Sequence, residues 1–354
     1  MVDWTSSMKQ TFEYYVVDPG TWKDKQKLNN IISSTIDWDQ ASETLGSASI
    51  DSIDSLGECY VRTYMVVVQN GLTTKIPLGT HLVQTPSVTY DGTKHEVTND
   101  AYTPLLELKE KTPPVGYTIT KNEDIIKMAY KLVRENMRAP IFLTIGSKTL
   151  DEDFIADTDD TWLTLIRDLI AKDKCRLDLD EMGRVVFAPI QETEAMRPVW
   201  TYNDDNSSIL YPEITMDRDL YGIPNVVEVI FSRDSKVLYS VAENNNSSSP
   251  VSIKNRGRRI VHRVTDPEIP GLPNQKNLDE YARLVLDQMS TLEYTVSYSH
   301  GYCGTRIGDC VRLNYKRAGI NDIKAKIITQ SITCNTGCMV DETAVFTSKL
   351  LEMR

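Results

Sequence analysis

Residues 60–85, YVRTYMVVVQNGLTTKIPLGTHLVQT, decide the fold of the first third of the chain. Residues 60–68 are rich in β-branched and aromatic side chains, and residues 76–85 can supply a returning strand. Between them, Asn70 and Gly71 form a pair that favours a two-residue hairpin turn, because both residues accept a positive φ. We therefore predict an antiparallel β-hairpin.

Further strand signals surround this hairpin. Residues 13–17 and residues 96–98 have strand compositions, and residues 48–53 alternate between two faces in the period of a half-buried strand. Pro104 and the prolines at 113 and 114 then interrupt the pattern. The N-terminal region is therefore predicted to be a β domain.

The middle of the chain changes to a helical period. Apolar residues recur at helical spacing over residues 125–133, where Thr120 and Glu123 suggest a capping box. A second helix is predicted over residues 160–172, followed by a hairpin over residues 175–189. This region is predicted to be mixed α+β.

The last region returns to strands and contains one helix. Asn277 and Glu280 suggest the cap of that helix, and Leu284 belongs to its predicted buried face with Tyr281, Val285 and Gln288. The predicted strands cover residues 225–231, 237–242, 294–298, 311–315, 323–333 and 344–350. The fold class is thus α+β, mainly β, with predicted domains at 1–112, 113–215 and 216–354.

Composition and charge exclude several classes of protein. The 354 residues are 40% hydrophobic and 25% charged, as in ordinary folded chains. Fifty acidic residues against 39 basic ones give a net charge of -11, which disfavours sequence-specific nucleic-acid binding. The densest basic stretch, residues 254–263, is predicted to be a solvated loop. No apolar run is long enough to span a membrane and no secretory signal opens the chain, so we expect synthesis in the cytoplasm.

Motifs for enzymes and for nucleotide or calcium binding fail on inspection. Gly301, Gly304 and Gly308 lack the spacing of a phosphate loop, and a calcium loop starting at Asp178 would place Pro189 at its twelfth position. The sequence has no HExxH and no GxSxG pattern. Ordinary polar roles are therefore assigned to the four histidines, His81, His95, His262 and His300.

Two acidic runs are the only obvious places for a pair of catalytic carboxylates. They cover residues 151–153 and residues 157–160. Acidic residues are also common at helix starts, and a polar loop does not separate the pKa values of two acids as a glycosidase requires. We therefore interpret both runs as helix-start residues and expect no catalytic residue and no cofactor.

Four of the six cysteines lie close together near the C-terminus: Cys303, Cys310, Cys334 and Cys338. Structural zinc favours two to four residues within each cysteine pair, so only Cys334 and Cys338 fit the spacing of a metal half-site. A disulfide requires an oxidising medium. Free thiols, a disulfide and a metal therefore all stay open, with free thiols as the leading interpretation and no metal assigned.

The chain from Pro224 onward resembles the central baseplate hub proteins of contractile-tailed phages and related phage-tail-like particles. The segments that carry the resemblance are PNVVEVIFS (224–232), EIPGLPNQKNLDEYARLVLDQMS (268–290) and TRIGDCVRLNYKRAGINDIKAKIITQSITCNTGCMVDETAVFTSKLLE (305–352). Residues 62–92 resemble the first tube-like domain of that family, and residues 119–137 with 160–190 resemble its middle domain. The order of these segments along one chain strengthens the resemblance.

The resemblance implies two tube-protein-like β-barrel domains that flank the α+β middle domain. It further implies a homotrimer that forms a pseudo-sixfold ring between the hexameric tail tube and the trimeric central spike. The implied partners are the tube protein, the spike, other baseplate proteins and the tape measure protein. The implied location is the baseplate of the virion tail, assembled in the cytoplasm of a bacterial host, where the ring lets DNA or the tape measure pass.

Two alternatives belong to other classes of protein. A tail-associated cell-wall hydrolase would place its chemistry near Asp159 and Asp160. A carbohydrate-binding tail component would use exposed tryptophans, for which the candidates are Trp4, Trp22, Trp38, Trp162 and Trp200. The dispersal of these tryptophans favours roles in the core or at interfaces.

Overall fold

In a computed structural model, the chain is described over residues 2–90, 92–93, 95–142, 146, 148–206, 208–218, 220–233, 236–265, 267, 274–290 and 293–347. These residues are mainly strand with a few helices, which confirms the predicted class. The chain divides into two compact units, one of Met1–Ile214 with Ser297–Ala344 and one of Thr215–Val296 with Val345–Arg354. The three predicted domains and their closed barrels stay predictions.

The N-terminal β-hairpin is confirmed. Asn70 and Gly71 have φ angles of 50° and 77°, as the predicted turn requires. The two hairpin strands pair antiparallel from Gln69↔Leu72 to Tyr60↔Leu82. The strands of this region are β1 (Lys9–Val17), β2 (Asp24–Leu28), β3 (Ile31–Asp39), β4 (Gly46–Ser52), β5 (Tyr60–Gln69), β6 (Leu72–Tyr90) and β7 (His95–Tyr102).

Both predicted helices of the middle region are present, but the first begins differently. The predicted capping box of Thr120 and Glu123 is wrong, because Asp124 is the N-cap and its carboxylate accepts from the Lys127 amide at 2.8 Å. An aspartate directly before the helix caps it without help from further upstream. The elements are α1 (Leu106–Lys109), β8 (Thr118–Ile119), α2 (Ile125–Asn136), β9 (Phe154–Ile155), α3 (Trp162–Ala171), β10 (Cys175–Leu179) and β11 (Val185–Pro189).

The strands predicted for the last region are confirmed as far as Thr347, and residues 348–350 of the final prediction lie outside the described residues. Two short 3₁₀ turns, Thr193–Ala195 and Lys316–Ala318, also occur. The remaining elements are β12 (Trp200–Asn203), β13 (Leu210–Arg218), β14 (Val226–Arg233), β15 (Lys236–Glu243), α4 (Ile253–Arg256), β16 (Val261–Thr265), α5 (Gln275–Ser290), β17 (Glu293–Gly301), β18 (Cys310–Tyr315), β19 (Ile320–Thr333) and β20 (Met339–Thr347).

The basic stretch 254–263 is not a solvated loop. It contains most of α4 and the start of β16. The Arg256 guanidinium donates to the carbonyls of Leu220 and Ile223, and Arg263 pairs with Glu228 at 2.8 Å. The prediction failed because these arginines find carbonyl and carboxylate partners that are distant in the sequence.

Helix α5 starts earlier than predicted, and its core-facing side keeps Tyr281 and Val285 of the predicted face but not Leu284. The Asn274 side chain accepts from the Asn277 amide at 2.9 Å, so Asn277 lies in the first turn rather than at the cap. Leu284 is 54% exposed, which corrects its predicted burial. In the second unit the helix packs on the three-stranded sheet β15-β14-β16 through Leu278, Ala282 and Leu286.

One sheet collects strands from both ends of the chain. Its order is β13-β17-β20-β19-β3-β4-β7-β6-β5-β1-β2, with β12 and β18 branching from β19. The long strand β19 pairs with β18 through its first half and with β3 from Thr329↔Asp39 to Thr333↔Thr35. Residues about three hundred positions apart thus share one hydrogen-bonded ladder. No helix in the described part of the chain is long and apolar enough to cross a membrane.

The turn between β10 and β11 docks on the N-terminal strands. The Met182 carbonyl accepts from the Trp22 indole at 2.7 Å and from the Arg62 guanidinium at 3.1 Å. Arg62 is fully buried and is held by Asp24 at 2.7 Å as well. A buried arginine is tolerated only when its donors are satisfied, so this turn completes the environment of Arg62.

Replacement of Gly46 by alanine should destabilise the protein. Gly46 has a φ of 150°, and an added Cβ would lie 2.2 Å from the Asp37 carbonyl oxygen on the paired strand β3. We expect the free energy of unfolding in urea to fall by about 3 kcal/mol. Gly301→Ala is the control, since nothing lies within 4 Å of a Cβ there. Equal stability of the two variants would contradict the steric argument.

Candidate functional site

A fully buried carboxylate organises the C-terminal strands of the first unit. Glu342 on β20 is 2% exposed, and its two oxygens have hydrogen-bonding partners on five residues. A carboxylate with so many donors is held in its charged form. These partners are Tyr202 (3.2 Å), Tyr298 (2.9 Å), His300 (3.2 Å), Thr305 (2.6 Å) and Gln330 (2.7 Å).

His300 is the cationic partner of this carboxylate. Its Nε2 lies 3.2 Å from Glu342, and its Nδ1 lies 2.7 Å from the Gly301 carbonyl oxygen, so both ring nitrogens have acceptors. Burial alone would lower the pKa of His300, but hydrogen bonds with Cys303 and Glu342 raise it to about 10. Burial likewise opposes ionisation of Glu342, whereas the His300 contact lowers its pKa. The two residues form a buried ion pair at neutral pH.

Cys303, His300 and Glu342 have the contacts of a nucleophilic triad but not its accessibility. The Cys303 Sγ atom lies 3.8 Å from Nδ1 of His300, and Glu342 contacts the other ring nitrogen. A working triad needs a nucleophile that a substrate can reach and a base that is free to take its proton. Cys303 is 7% exposed, His300 is fully buried, and the Gly301 carbonyl occupies Nδ1. The cluster therefore acts as a structural network that ties the strands together.

Sequence reasoning missed this network because it treated His300 as an ordinary polar residue. A usable signal was present in β17. Tyr294, Val296 and Tyr298 alternate on the buried face of this strand, and His300 continues the same alternation. A histidine at a core position of a strand requires a hydrogen-bonding partner. The sequence does not reveal that this partner is Glu342.

The four clustered cysteines do not meet at one site of the first unit. All six cysteines are free thiols, and the described residues contain no group of three or more potential metal ligands. Cys310 lies in β18, whereas Cys334 and Cys338 flank the turn between β19 and β20 and are buried. Burial raises the pKa of both of these thiols, that of Cys334 to about 12. Metal binding by Cys334 and Cys338 stays an untested hypothesis.

The acidic runs serve local structure at several positions. The Asp160 carboxylate accepts from the Asp157 amide and from the Thr164 hydroxyl, both at 2.8 Å, next to the N-cap Thr161 of α3. The Asp153 carboxylate accepts from the Lys121 amide at 2.8 Å. The run 157–160 lies at a helix start, as the sequence predicted. The run 151–153 precedes the strand β9 instead, so the helix-start interpretation of that run is wrong.

The tryptophans do not form a common surface. Trp22, Trp38 and Trp162 are buried, each at 7% or 8% exposure, and Trp4 and Trp200 are half-buried. Trp162 packs edge-on against Tyr117 with ring centroids 5.0 Å apart. The three buried rings therefore belong to the core, which is the role that their dispersal predicted.

His81 is a buried polar side chain for which the described atoms provide no hydrogen-bonding partner at either ring nitrogen. Its ring lies beside Trp38, with ring centroids 5.6 Å apart, and an added Cβ on Gly79 would lie 2.5 Å from it. Burial lowers the pKa of His81 to about 4. The imidazole is therefore neutral at physiological pH.

Exposed strand surfaces are the candidate interaction sites. The edge strand β2 has the sequence DKQKL and is almost entirely exposed, with charges that discourage unspecific strand addition. In the second unit, β15 exposes Val237, Tyr239 and Val241 on the face opposite α5. Contiguous exposed apolar side chains of this kind are typical of surfaces that contact other proteins.

Comparisons with known proteins identify the fold. No protein-family model matches the chain, and no curated protein matches it. A solved tail protein from Neisseria meningitidis MC58 has a TM-score of 0.65 and 12% identity, over 96% of this chain and 97% of that chain. The 43 kDa tail protein of prophage MuSo2 from Shewanella oneidensis has a TM-score of 0.60 and 10% identity, over 94% and 97%.

A chain of the Francisella PdpA–VgrG complex is also similar. Its TM-score is 0.59 at 8% identity, and the match covers 96% of this chain but 58% of that chain. The similarities to the two tail proteins extend over nearly the whole length of both compared chains. The chain therefore has the fold of phage tail proteins, which confirms the resemblance at the level of the fold.

Replacement of Glu342 by glutamine should destabilise the first unit strongly. The change leaves the His300 imidazolium buried without its counter-charge, so we expect the free energy of unfolding in urea to fall by about 3 to 5 kcal/mol. Asp322→Asn is the control, because the Asp322–Arg312 pair is exposed and should contribute less than about 1 kcal/mol. Comparable losses in the two variants would contradict the role of the buried pair.

His81 should make stability depend on pH. Its folded pKa of about 4 lies below the ordinary value of 6.5, so the unfolded chain takes up a proton between these values that the folded chain does not. Stability is therefore lost as the pH falls from 6.5 to 4, by roughly 3 kcal/mol from this group. Urea unfolding across this range should show a shallower loss for His81→Leu. The control is His262→Gln, because His262 is only half-buried. Equal slopes of stability against pH for the wild type and for His81→Leu would refute the assignment.

Proposed function

We propose that this chain is a structural protein of a phage-type tail and serves as the central hub of its baseplate. The observation that carries the proposal is the extent of the fold similarity, which covers nearly all of this chain and of two tail proteins. A similarity confined to one domain would leave the rest of the chain free for another function. The order of hub-like segments in the sequence supports the same role.

The proposed hub is a homotrimer that forms a pseudo-sixfold ring. A ring needs two β regions in each subunit, and the sheet that joins β3 to β19 supplies strands from both ends of the chain. The exposed edge strand β2 and the apolar face of β15 are surfaces that neighbouring proteins would cover. Such a ring would adapt a hexameric tube to a trimeric spike.

The role is proposed to be non-enzymatic and without a cofactor. The only triad-like cluster, that of Cys303, His300 and Glu342 in the described residues, is buried and engaged in hydrogen bonds. This burial supports a structural role and gives no support to a cell-wall hydrolase. The burial of three of the five tryptophans weakens the carbohydrate-binding alternative in the same way.

The proposed location is the baseplate of the virion tail, with assembly in the cytoplasm of a bacterial host. The proposed partners are the tail tube protein on one side of the ring, the central spike on the other, and further baseplate proteins around it. The tape measure protein and the DNA would pass through the ring. A net charge of -11 is compatible with a lumen that does not retain a polyanion.

Light scattering on the purified chain tests the proposal directly. We expect a particle that contains three copies of the chain, either alone or in complex with the cognate spike protein. Electron micrographs of that particle should show a ring with sixfold pseudo-symmetry. A chain that stays monomeric at high concentration and in the presence of the spike would argue decisively against a hub.

A further inference from the structure

Helix α2 presents a basic face to solvent. Lys127, Lys131 and Arg134 lie at positions i, i+4 and i+7, so they share one side of the helix, and all three are exposed. Within the described part of the chain none of the three belongs to an ion pair. Three cations therefore share one exposed side of a single helix in a protein with a net charge of -11.

An apolar strip accompanies the basic face. Met128 and Tyr130 are half-buried and lie in an open groove of about 590 Å³. The other residues that line this groove are three basic ones and three acidic ones: Lys127, Lys131, Arg134, Glu123, Asp124 and Glu135. The Arg134 guanidinium lies 5.8 Å from the centre of the Tyr130 ring, which holds that ring at the surface. The side of the groove formed by Lys127, Lys131 and Arg134, together with Met128 and Tyr130, fits an acidic segment that contains an apolar side chain.

Such a segment occurs in the same chain, over residues 151–160. Ile155 is 61% exposed, and the acidic residues on both sides of it, including Glu152 and Asp157, are exposed too. No ion pair of the described residues uses either of these two carboxylates. The segment thus combines an exposed apolar residue with uncompensated negative charge.

The negative charge of this segment affects the pKa of the neighbouring residue Asp168. Burial raises the pKa of Asp168, and Asp160 and Asp157 raise it further. Arg167 and Lys172 oppose this effect, but the segment itself contains six acidic residues and no basic one. A negatively charged surface of this kind attracts a basic surface on another molecule without any rearrangement of the segment.

The dimensions of the two surfaces agree. Seven residues of helix separate Lys127 from Arg134, a distance of roughly 10 Å along the axis. Asp153 and Asp157 are about 13 Å apart if the chain through β9 is extended. Lysine and arginine side chains cover the small difference, because their long stems can lean in either direction.

We propose that the basic face of α2 in one copy binds the acidic segment 151–160 of a second copy, with Ile155 seated between Met128 and Tyr130. This contact rests on the proposed function, because it is the head-to-tail contact that three copies would repeat around a ring. A contact between two different patches is heterologous, and it closes only when every copy uses both patches. Charge complementarity fixes the order in which the copies meet.

Two charge-reversal variants and their mixture test the contact. Lys127→Glu/Lys131→Glu removes the basic face and keeps the acidic segment, whereas Glu152→Lys/Asp157→Lys does the converse. Sedimentation velocity should show that self-association of each variant is weakened by at least about tenfold, more so at low salt. The mixture should associate again, because the reversed patches of the two variants complement each other and so do their unreversed patches. A three-membered ring cannot alternate two variants, so the closed trimer of the wild type should not form.

The control is Lys254→Glu/Lys276→Glu, which makes the same change in charge on exposed side chains of the second unit. It should assemble like the wild type, and circular dichroism should show that all variants are folded. Trimers that persist in both reversal variants would overturn the proposed contact and leave the hub intact. A mixture that stays monomeric would overturn it as well. A wild-type chain that never self-associates would overturn both the contact and the hub.

Discussion

The pairing of β19 with β3 is the constraint on which the rest of the first unit depends. It joins residues 329–333 to residues 35–39, and its closest side-chain contact links Ser331 to Asp37 at 2.5 Å. The Cys334 amide extends the ladder by donating to the Ser34 carbonyl at 2.9 Å. Neither end of the chain can complete its sheet alone. Folding must therefore close a loop of nearly the whole chain, which is a slow step compared with local hairpins.

The middle region supports this pairing from the side. In the turn between β10 and β11, the Met182 carbonyl accepts hydrogen bonds from Trp22 and Arg62. Glu181 of the same turn pairs with Arg306 at 3.2 Å. One short turn thus contacts strands from the N-terminal region and a loop from the C-terminal region. Because Arg62 is buried, loss of this turn would leave a charged group with unsatisfied donors. The α+β region therefore contacts both the N-terminal and the C-terminal β regions of the first unit.

Local patterns predicted the elements well, and distant contacts explain the failures. Asn70-Gly71 defined its hairpin because the turn depends on two adjacent residues. The face of α5 was misjudged at Leu284, since the position of the three-stranded sheet decides which side of the helix is buried. The network around Glu342 was missed for the same reason, because its members come from residue 202 to residue 342. A spacing rule cannot find a site whose parts meet only after the sheet is complete.

The charges of the protein fall into two groups with different physical roles. The His300–Glu342 pair lies in a dry environment where every donor and acceptor has a partner, so it fixes the register of β17 and β20 against each other. The charges of α2 and of residues 151–160 stay in water, where they contribute little to the stability of one chain. These charges would contribute to the free energy of binding when a complementary charged surface covers them and excludes that water. In the proposed hub this division would keep the fold independent of the contacts that the chain forms with its neighbours.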